Sequence, residues 1–223
     1  MAHHLEEERR RILAAALPNV AFDGWTAKTL TAAVEAAGFE PAMAVRAFPG
    51  GVREMIGFFI AEADREMVEA LEARDLPSMK IRDRIRTAVQ VRLEQNAPWR
   101  EAIRRALAHE MAPQNAPAAL RRLHRTVDAM WYAAGDRAAD FNYYTKRMLL
   151  AGVYSSTLLY WLNDRSEGSA ATWRFLDRRI DDVMKIQTVK GRLGGRLDRI
   201  GGLVRRPRRP GAVIGAWARR GDA

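Results

Sequence analysis

An all-α fold is what the sequence predicts: a bundle of about nine helices followed by a C-terminal amphipathic helix. Three observations carry that expectation. The chain is rich in Ala, Leu, Arg and Glu, residues of high helix propensity. Its prolines and glycines fall between periodic segments and punctuate them. No run alternates apolar and polar residues, with β-branched enrichment, for long enough to make a strand. At 48% hydrophobic and 29% charged over 223 residues, the chain can bury a sizeable core and is not globally disordered.

The elements follow in order. A first helix is expected from about Leu5 to Leu17, stopped by Pro18. Thr26 can cap a second, ending near Ala37 with Gly38 as its left-handed stop. A short third helix follows Pro41, a favoured first-turn residue, and ends before Phe48-Pro49-Gly50-Gly51. The fourth reaches about Arg74 and is closed by Pro77. Further helices are expected at about 79–95, 99–111 and 117–134, divided by Pro98 and then by Pro113 and the Asn115–Pro117 start. Another should occupy about 140–163, and one more about 170–187, started by Ser169. Within the first of these, Met148–Asn163 is the longest uncharged stretch. Its sixteen residues fall short of the roughly twenty needed to span a bilayer, so a buried helix is expected there.

The formal net charge of +10 is unevenly placed. Residues 1–184 carry 26 basic and 25 acidic side chains, whereas residues 185–223 carry 11 and 2. Such asymmetry points to a basic arm reaching for an anionic surface, nucleic acid or lipid headgroups. In that arm Ile186, Val189, Leu193, Leu197, Ile200 and Leu203/Val204 recur at helical spacing, with Lys185, Lys190, Arg192, Arg196 and Arg199 between them. Five glycines at 191, 194, 195, 201 and 202 each disfavour an aqueous helix by roughly 1 kcal/mol. A helix so marginal needs a surface for its apolar face. With the extended basic run Arg205-Arg206-Pro207-Arg208-Arg209-Pro210 behind it, the segment reads as an in-plane membrane helix with a polybasic anchor. A helix docked on its own body or on a second copy is the competing reading.

The remaining composition excludes several chemistries. With no cysteine there are no disulfides, thiolate metal sites or cysteine nucleophiles. Two of the four histidines, His3 and His4, lie at the N-terminus, and His109 and His124 read as ordinary helix residues. No Glu-x-x-His pair, Gly-x-Gly-x-x-Gly or phosphate loop is present, and Ser155 and Ser156 lack an evident histidine base. Asp181 and Asp182 are adjacent and look salt-linked to Arg178 and Arg179 on a solvated face. Neither catalytic residues, metal nor cofactor are expected. The start of the chain, through Glu6-Glu7-Glu8-Arg9-Arg10-Arg11, lacks the features of a secretory signal or transit peptide, so a cytoplasmic or peripheral protein is expected.

Two resemblances add to this reading. Ile12-Leu13-Ala14-Ala15-Ala16-Leu17, Gly24-Trp25-Thr26, Ala36-Ala37-Gly38-Phe39 and Phe48-Pro49-Gly50-Gly51 resemble the opening of tetracycline-repressor-type regulators. That implies a tetracycline-repressor-like bundle whose first 50 residues form a helix-turn-helix-like region. Yet residues 1–60 hold six basic and seven acidic side chains, where phosphate neutralisation wants clustered cations. The would-be reading helix, Glu40-Pro41-Ala42-Met43-Ala44-Val45-Arg46-Ala47, offers one arginine and no Asn, Gln, Ser or Tyr. Nucleic acid is therefore not the expected partner, and a ligand-sensing regulator is the alternative.

The second resemblance rests on the segment richest in rings: residues 131–161 hold eight of the eighteen aromatics, including all five tyrosines. Val127-Asp128-Ala129-Met130-Trp131-Tyr132-Ala133-Ala134-Gly135-Asp136, Asp140-Phe141-Asn142-Tyr143-Tyr144-Thr145-Lys146-Arg147 and Thr172-Trp173-Arg174-Phe175-Leu176-Asp177-Arg178-Arg179-Ile180 closely resemble the ubiquinone-biosynthesis lipid-binding family, the ninth coenzyme Q factor. The likeness runs from about residue 9 to 187. It implies a non-enzymatic accessory protein that binds isoprenoid quinone intermediates at a membrane phospholipid surface and presents them to a demethoxyubiquinone hydroxylase. The implied place is the inner membrane of a bacterium, or the matrix side in mitochondrial relatives.

Residue by residue, the resemblance places the hydroxylase-docking patch at Leu93, Met130, Asp140, Tyr143 and Tyr144. The family more often has tryptophan at position 143 and arginine at 146. Tyr143 and Tyr144 are about 100° apart on one helix, so both cannot point into the core. The lipid cavity would draw on the apolar helix around Gly152, through Met148, Val153, Tyr154, Leu158, Trp161 and Leu162, although such a helix can equally be plain core. Ile186, Val189, Leu193, Leu197, Ile200, Arg192, Arg196, Arg199, Arg205 and Arg206 would touch the membrane. The expected organisation is thus 1–50, a lipid-binding body at 51–187 and a basic tail at 188–223, with homodimerisation through the late helices.

Overall fold

Nine α-helices and no strand account for the described residues, 5–135 and 141–185 of a computed structural model. Residues Met1–Asp181 form one compact unit, so the N-terminal three-helix region and the later helices are not separate bodies. The helix at 170–185 continues past that boundary, and the tail expected at 188–223 lies outside the described residues.

Helix α1 (Glu6–Asp23) opens with three glutamates in its first turn, where they favour the positive end of the helix dipole. It corrects the expected stop at Pro18, running through it for five more residues. The reason lies on its faces. Ile12, Leu13, Ala16, Leu17 and Val20 make one buried stripe, whereas Pro18 and Ala14, whose carbonyl Pro18 leaves without a helical partner, face solvent. Packing against α2 (Ala27–Ala36) and α6 (Arg100–Glu110) overrides the local break. The cap of α2 is as the sequence predicts: Thr26 Oγ1 accepts from the Thr29 amide at 3.1 Å, and Gly38 closes the end at φ +78°. Between α1 and α2, Trp25 is buried against Phe59 and donates its indole N–H to the Ala102 carbonyl at 2.9 Å. Helix α3 (Met43–Ala47) buries Met43 and Ala47 and exposes Val45 and Arg46, the latter within 3.9 Å of Glu40.

The body is built on α4 (Val52–Glu72), which packs against α5 (Ile81–Gln95) and α7 (Ala116–Ala133). On α7 lies α8 (Phe141–Asn163). The uncharged run of α8 resolves into a stripe. Leu150, Val153, Tyr154, Thr157, Leu158, Trp161 and Leu162 are buried at steps of three and four, and Met148, Leu159 and Tyr160 face outward. Trp161 is almost wholly buried beneath the Arg100 guanidinium, 4.2 Å from its ring centre.

The last helix, α9 (170–185), departs from expectation at its start. Ser169 does not cap it; its φ is +56° and its hydroxyl faces Arg100. Ser166 Oγ accepts from the Ala171 amide and Asp164 from the Thr172 amide, each at 2.9 Å. Arg86 and Arg82 of α5 reach Asp177 and Asp181 at 2.7 and 2.9 Å. Asp181 is therefore tied to α5 rather than to its neighbours Arg178 and Arg179. No described helix is long and apolar enough to cross a membrane.

Candidate functional site

Helices α4 to α8 enclose a cavity of about 380 Å³. Its walls are apolar: Phe59 and Ile60 from α4, Leu93 from α5, Ile103, Ala106 and Leu107 from α6, Ala119 and Leu123 from α7, and Leu158 from α8. Met111, Leu120 and Leu159 also line it, yet they are 79%, 66% and 55% exposed. Apolar surface therefore continues from the interior out onto the molecule's face, a pattern that suits an apolar ligand rather than a sealed core. The volume falls near the lower end of the roughly 300–1000 Å³ typical of small-molecule sites.

Two buried ion pairs stand beside these walls. Arg122 of α7 is bound by both carboxylate oxygens of Glu110, at 2.6 and 2.7 Å, and also donates to the Arg53 carbonyl at 3.1 Å. Gly57 leaves the room that this guanidinium occupies, since a Cβ there would stand 3.0 Å from Arg122 Nε. The second pair joins α5 to α4: Arg92 Nε donates to Asp64 Oδ1 at 2.9 Å, and Thr126 Oγ1 to Asp64 Oδ2 at 2.8 Å. Burial pushes the Asp64 carboxyl up, against the pull of Arg92 and Thr126. Burial opposes the charge on Arg92 as well, but Tyr154 and Asp64 favour the cation and its pKa stands raised. Tyr154, also buried, has a raised pKa through burial above all, so its phenol keeps its proton at neutral pH. Arg92, Thr126 and Tyr154 all line the cavity, as does Ser155.

Of the residues proposed from the sequence for a lipid cavity, Tyr154 and Leu158 lie in its wall. Val153, Trp161 and Leu162 are buried but stand outside the lining, and Met148 is 76% exposed. Met148 sits off the buried stripe of α8 and is not among the residues that line the cavity. The docking set also separates. Leu93 and Met130 are corrected as surface residues: they lie on the buried faces of α5 and α7, and Leu93 lines the cavity instead. Tyr144 is 68% exposed. Trp131 donates to the Lys146 carbonyl at 3.2 Å and lies beneath its ammonium, tying α7 to α8 beside that ring. Asp140 and the side chain of Tyr143 lie outside the described residues, as do Ile186, Val189, Arg192, Leu193, Arg196, Leu197, Arg199, Ile200, Arg205 and Arg206.

Sequence reasoning missed the walls contributed by α4 to α7, and with them Arg92. A signal was there. Asp64 shares the apolar stripe of Ala63, Met67 and Leu71, and Arg92 that of Ala88, Val89 and Leu93. An acid and a base on the core faces of consecutive helices imply a buried pair. Among the described residues no group of His, Asp and Glu is placed to hold a metal ion.

Residues 116–187, which span α7 to the end of the described chain and two residues beyond, match the COQ9 family. The chain is 37% identical over 188 residues to the mitochondrial ubiquinone biosynthesis protein COQ9 of Rattus norvegicus, covering 81% of this chain and 60% of that protein. Against the Homo sapiens and Drosophila melanogaster proteins of the same name the identities are 35% and 34%, covering 81% and 84% of this chain and 59% and 58% of theirs. The chain thus spans about three fifths of the length of these curated relatives. Its fold is that of a TetR transcriptional regulator from Nitrosomonas europaea, with a TM-score of 0.65 and 21% identity over 80% of this chain and 98% of that one. At that identity the likeness concerns the fold alone.

Proposed function

The chain belongs to the COQ9 family, whose pattern it carries in residues 116–187, and we propose that it serves ubiquinone biosynthesis as a lipid-binding accessory protein rather than as an enzyme. The carrying observation is the cavity between α4 and α8, apolar within and continued outward by Met111, Leu120 and Leu159. An isoprenoid quinone intermediate has the matching character, an apolar chain on a small ring. In this reading the protein sits peripherally on a membrane through its basic tail, takes the lipid into the cavity and presents it to a demethoxyubiquinone hydroxylase. The chemistry belongs to that partner.

The regulator-like fold does not favour DNA as the partner. The exposed face of α3 offers Val45 and one arginine already beside Glu40, a poor instrument for reading bases or gripping phosphates. Native mass spectrometry with lipid extraction, on full-length protein from a quinone-producing bacterium, tests the proposal. An isoprenoid quinone or its precursor should leave with the protein at near-stoichiometric amount. A protein that carries only phospholipid, or nothing, refutes the carrier role.

A further inference from the structure

We infer that the buried end of the cavity is a subsite for a neutral, oxygen-bearing ring, gripped by Arg92 and Tyr154, while the ligand's hydrocarbon chain leaves across Met111, Leu120 and Leu159. The inference rests on the lipid-binding reading and deepens it by naming the head group's holders. Arg92 is only 5% exposed and lines the cavity, yet only its Nε is engaged, by Asp64. Among the described residues neither of its Nη atoms meets a hydrogen-bond acceptor. Tyr154 is 6% exposed, lines the same cavity, and its hydroxyl likewise has no partner there.

These donors stand open to the cavity rather than sealed in the core, and its walls have little to offer them. Its one lining carboxylate, Glu110, has both oxygens on Arg122. A ligand that enters with acceptor oxygens supplies what the wall lacks. Charge decides which acceptor. Arg92 is offset by Asp64 and Arg122 by Glu110, so no cation is in excess to hold a carboxylate or phosphate out of water. A carbonyl, ether or phenol oxygen on an uncharged ring fits that balance. Size agrees: about 380 Å³ takes a substituted ring with the first carbons of its chain, not a long tail or a two-chain phospholipid. The surplus chain has an apolar path outward over the three exposed rim residues.

The test compares three probes with one common tail: a decyl-substituted dimethoxy-methyl-benzoquinone, decylbenzene and decanoate. Their binding to the full chain is measured by calorimetry for the wild type, Tyr154→Phe, and the charge-neutral double variant Asp64→Asn with Arg92→Met. The wild type should bind the quinone about tenfold more tightly than decylbenzene, and each variant should lose about three- to tenfold for the quinone alone. Equal affinity for quinone and decylbenzene in all three proteins overturns the head-group subsite and leaves the lipid reading standing. Tighter binding of decanoate overturns it in favour of an anion site. Failure to bind any probe removes the lipid reading, and the subsite with it. Tyr154→Phe keeps the ring and its packing, so it decides even where the double variant fails to fold.

Discussion

Asp164, between α8 and α9, accepts hydrogen bonds from the Ser166 amide at 2.8 Å, the Thr172 amide at 2.9 Å and the Thr172 hydroxyl at 2.6 Å. Burial alone would raise its pKa, but the bonds from Thr172 and Ser166 prevail and hold the carboxyl well below the usual carboxylate range. A depressed carboxylate contributes stability that is complete above its unfolded value, about 3.9, and is lost as the pH falls from there toward the folded one. Asp164→Ala should therefore cost about 1–3 kcal/mol in urea unfolding at pH 7, and the gap to wild type should close on acidification below about pH 4. An unchanged gap at low pH would assign the loss to packing. Tyr144 poses a different question at the same scale. Its ring is 68% exposed on α8, so Tyr144→Lys should move stability by no more than about 0.5 kcal/mol. If it is the docking anchor that the family resemblance implies, the same change should nevertheless weaken co-precipitation of a demethoxyubiquinone hydroxylase by about tenfold or more. Unaltered co-precipitation would remove Tyr144 from any docking surface.

Helices are where sequence and structure agree best, and their ends show why the agreement is incomplete. Stops made by local chemistry, such as Thr26 and Gly38 around α2, were legible because one residue and its backbone settle them. Pro18 misled because its local cost is real but is outweighed by the stripe Ile12–Val20 packed on α2 and α6, which no local window contains. The strain should remain measurable. Pro18→Ala restores an amide facing the Ala14 carbonyl on an exposed face and should raise stability by about 1–3 kcal/mol in thermal unfolding, with no change in ligand binding. A destabilised variant would mean that the ring itself is packed in place. The start of α9 misled for a related reason: Ser169 has the right chemistry, but Asp164 and Ser166 reach the amides first through a bend. The cavity was legible only on its α8 side. There the uncharged run announced a buried helix, whereas the walls from α4 to α7 are spread over four amphipathic stripes that become a cavity only on packing.

At the scale of the whole molecule, charge and ligand site are separated along the chain. The cavity lies within residues 59–159, in a body that is nearly neutral, with 26 basic against 25 acidic side chains through residue 184. The last 39 residues carry 11 against 2. If the basic segment is the membrane anchor, attachment and ligand binding are divisible. Near an anionic leaflet each basic residue contributes on the order of 1 kcal/mol, falling off within a Debye length, so attachment should be lost at high salt as well as on truncation. Removing residues 186–223 leaves every wall residue in place. The truncated protein should stay in the supernatant when vesicles containing 30% phosphatidylserine are sedimented, while it binds a decyl quinone as the full chain does. Sedimentation undiminished by truncation would move the membrane contact to the exposed rim at Met111, Leu120 and Leu159. Loss of quinone binding together with sedimentation would instead make the tail part of the ligand site, because a ring seated in the body would then need that segment to hold its chain.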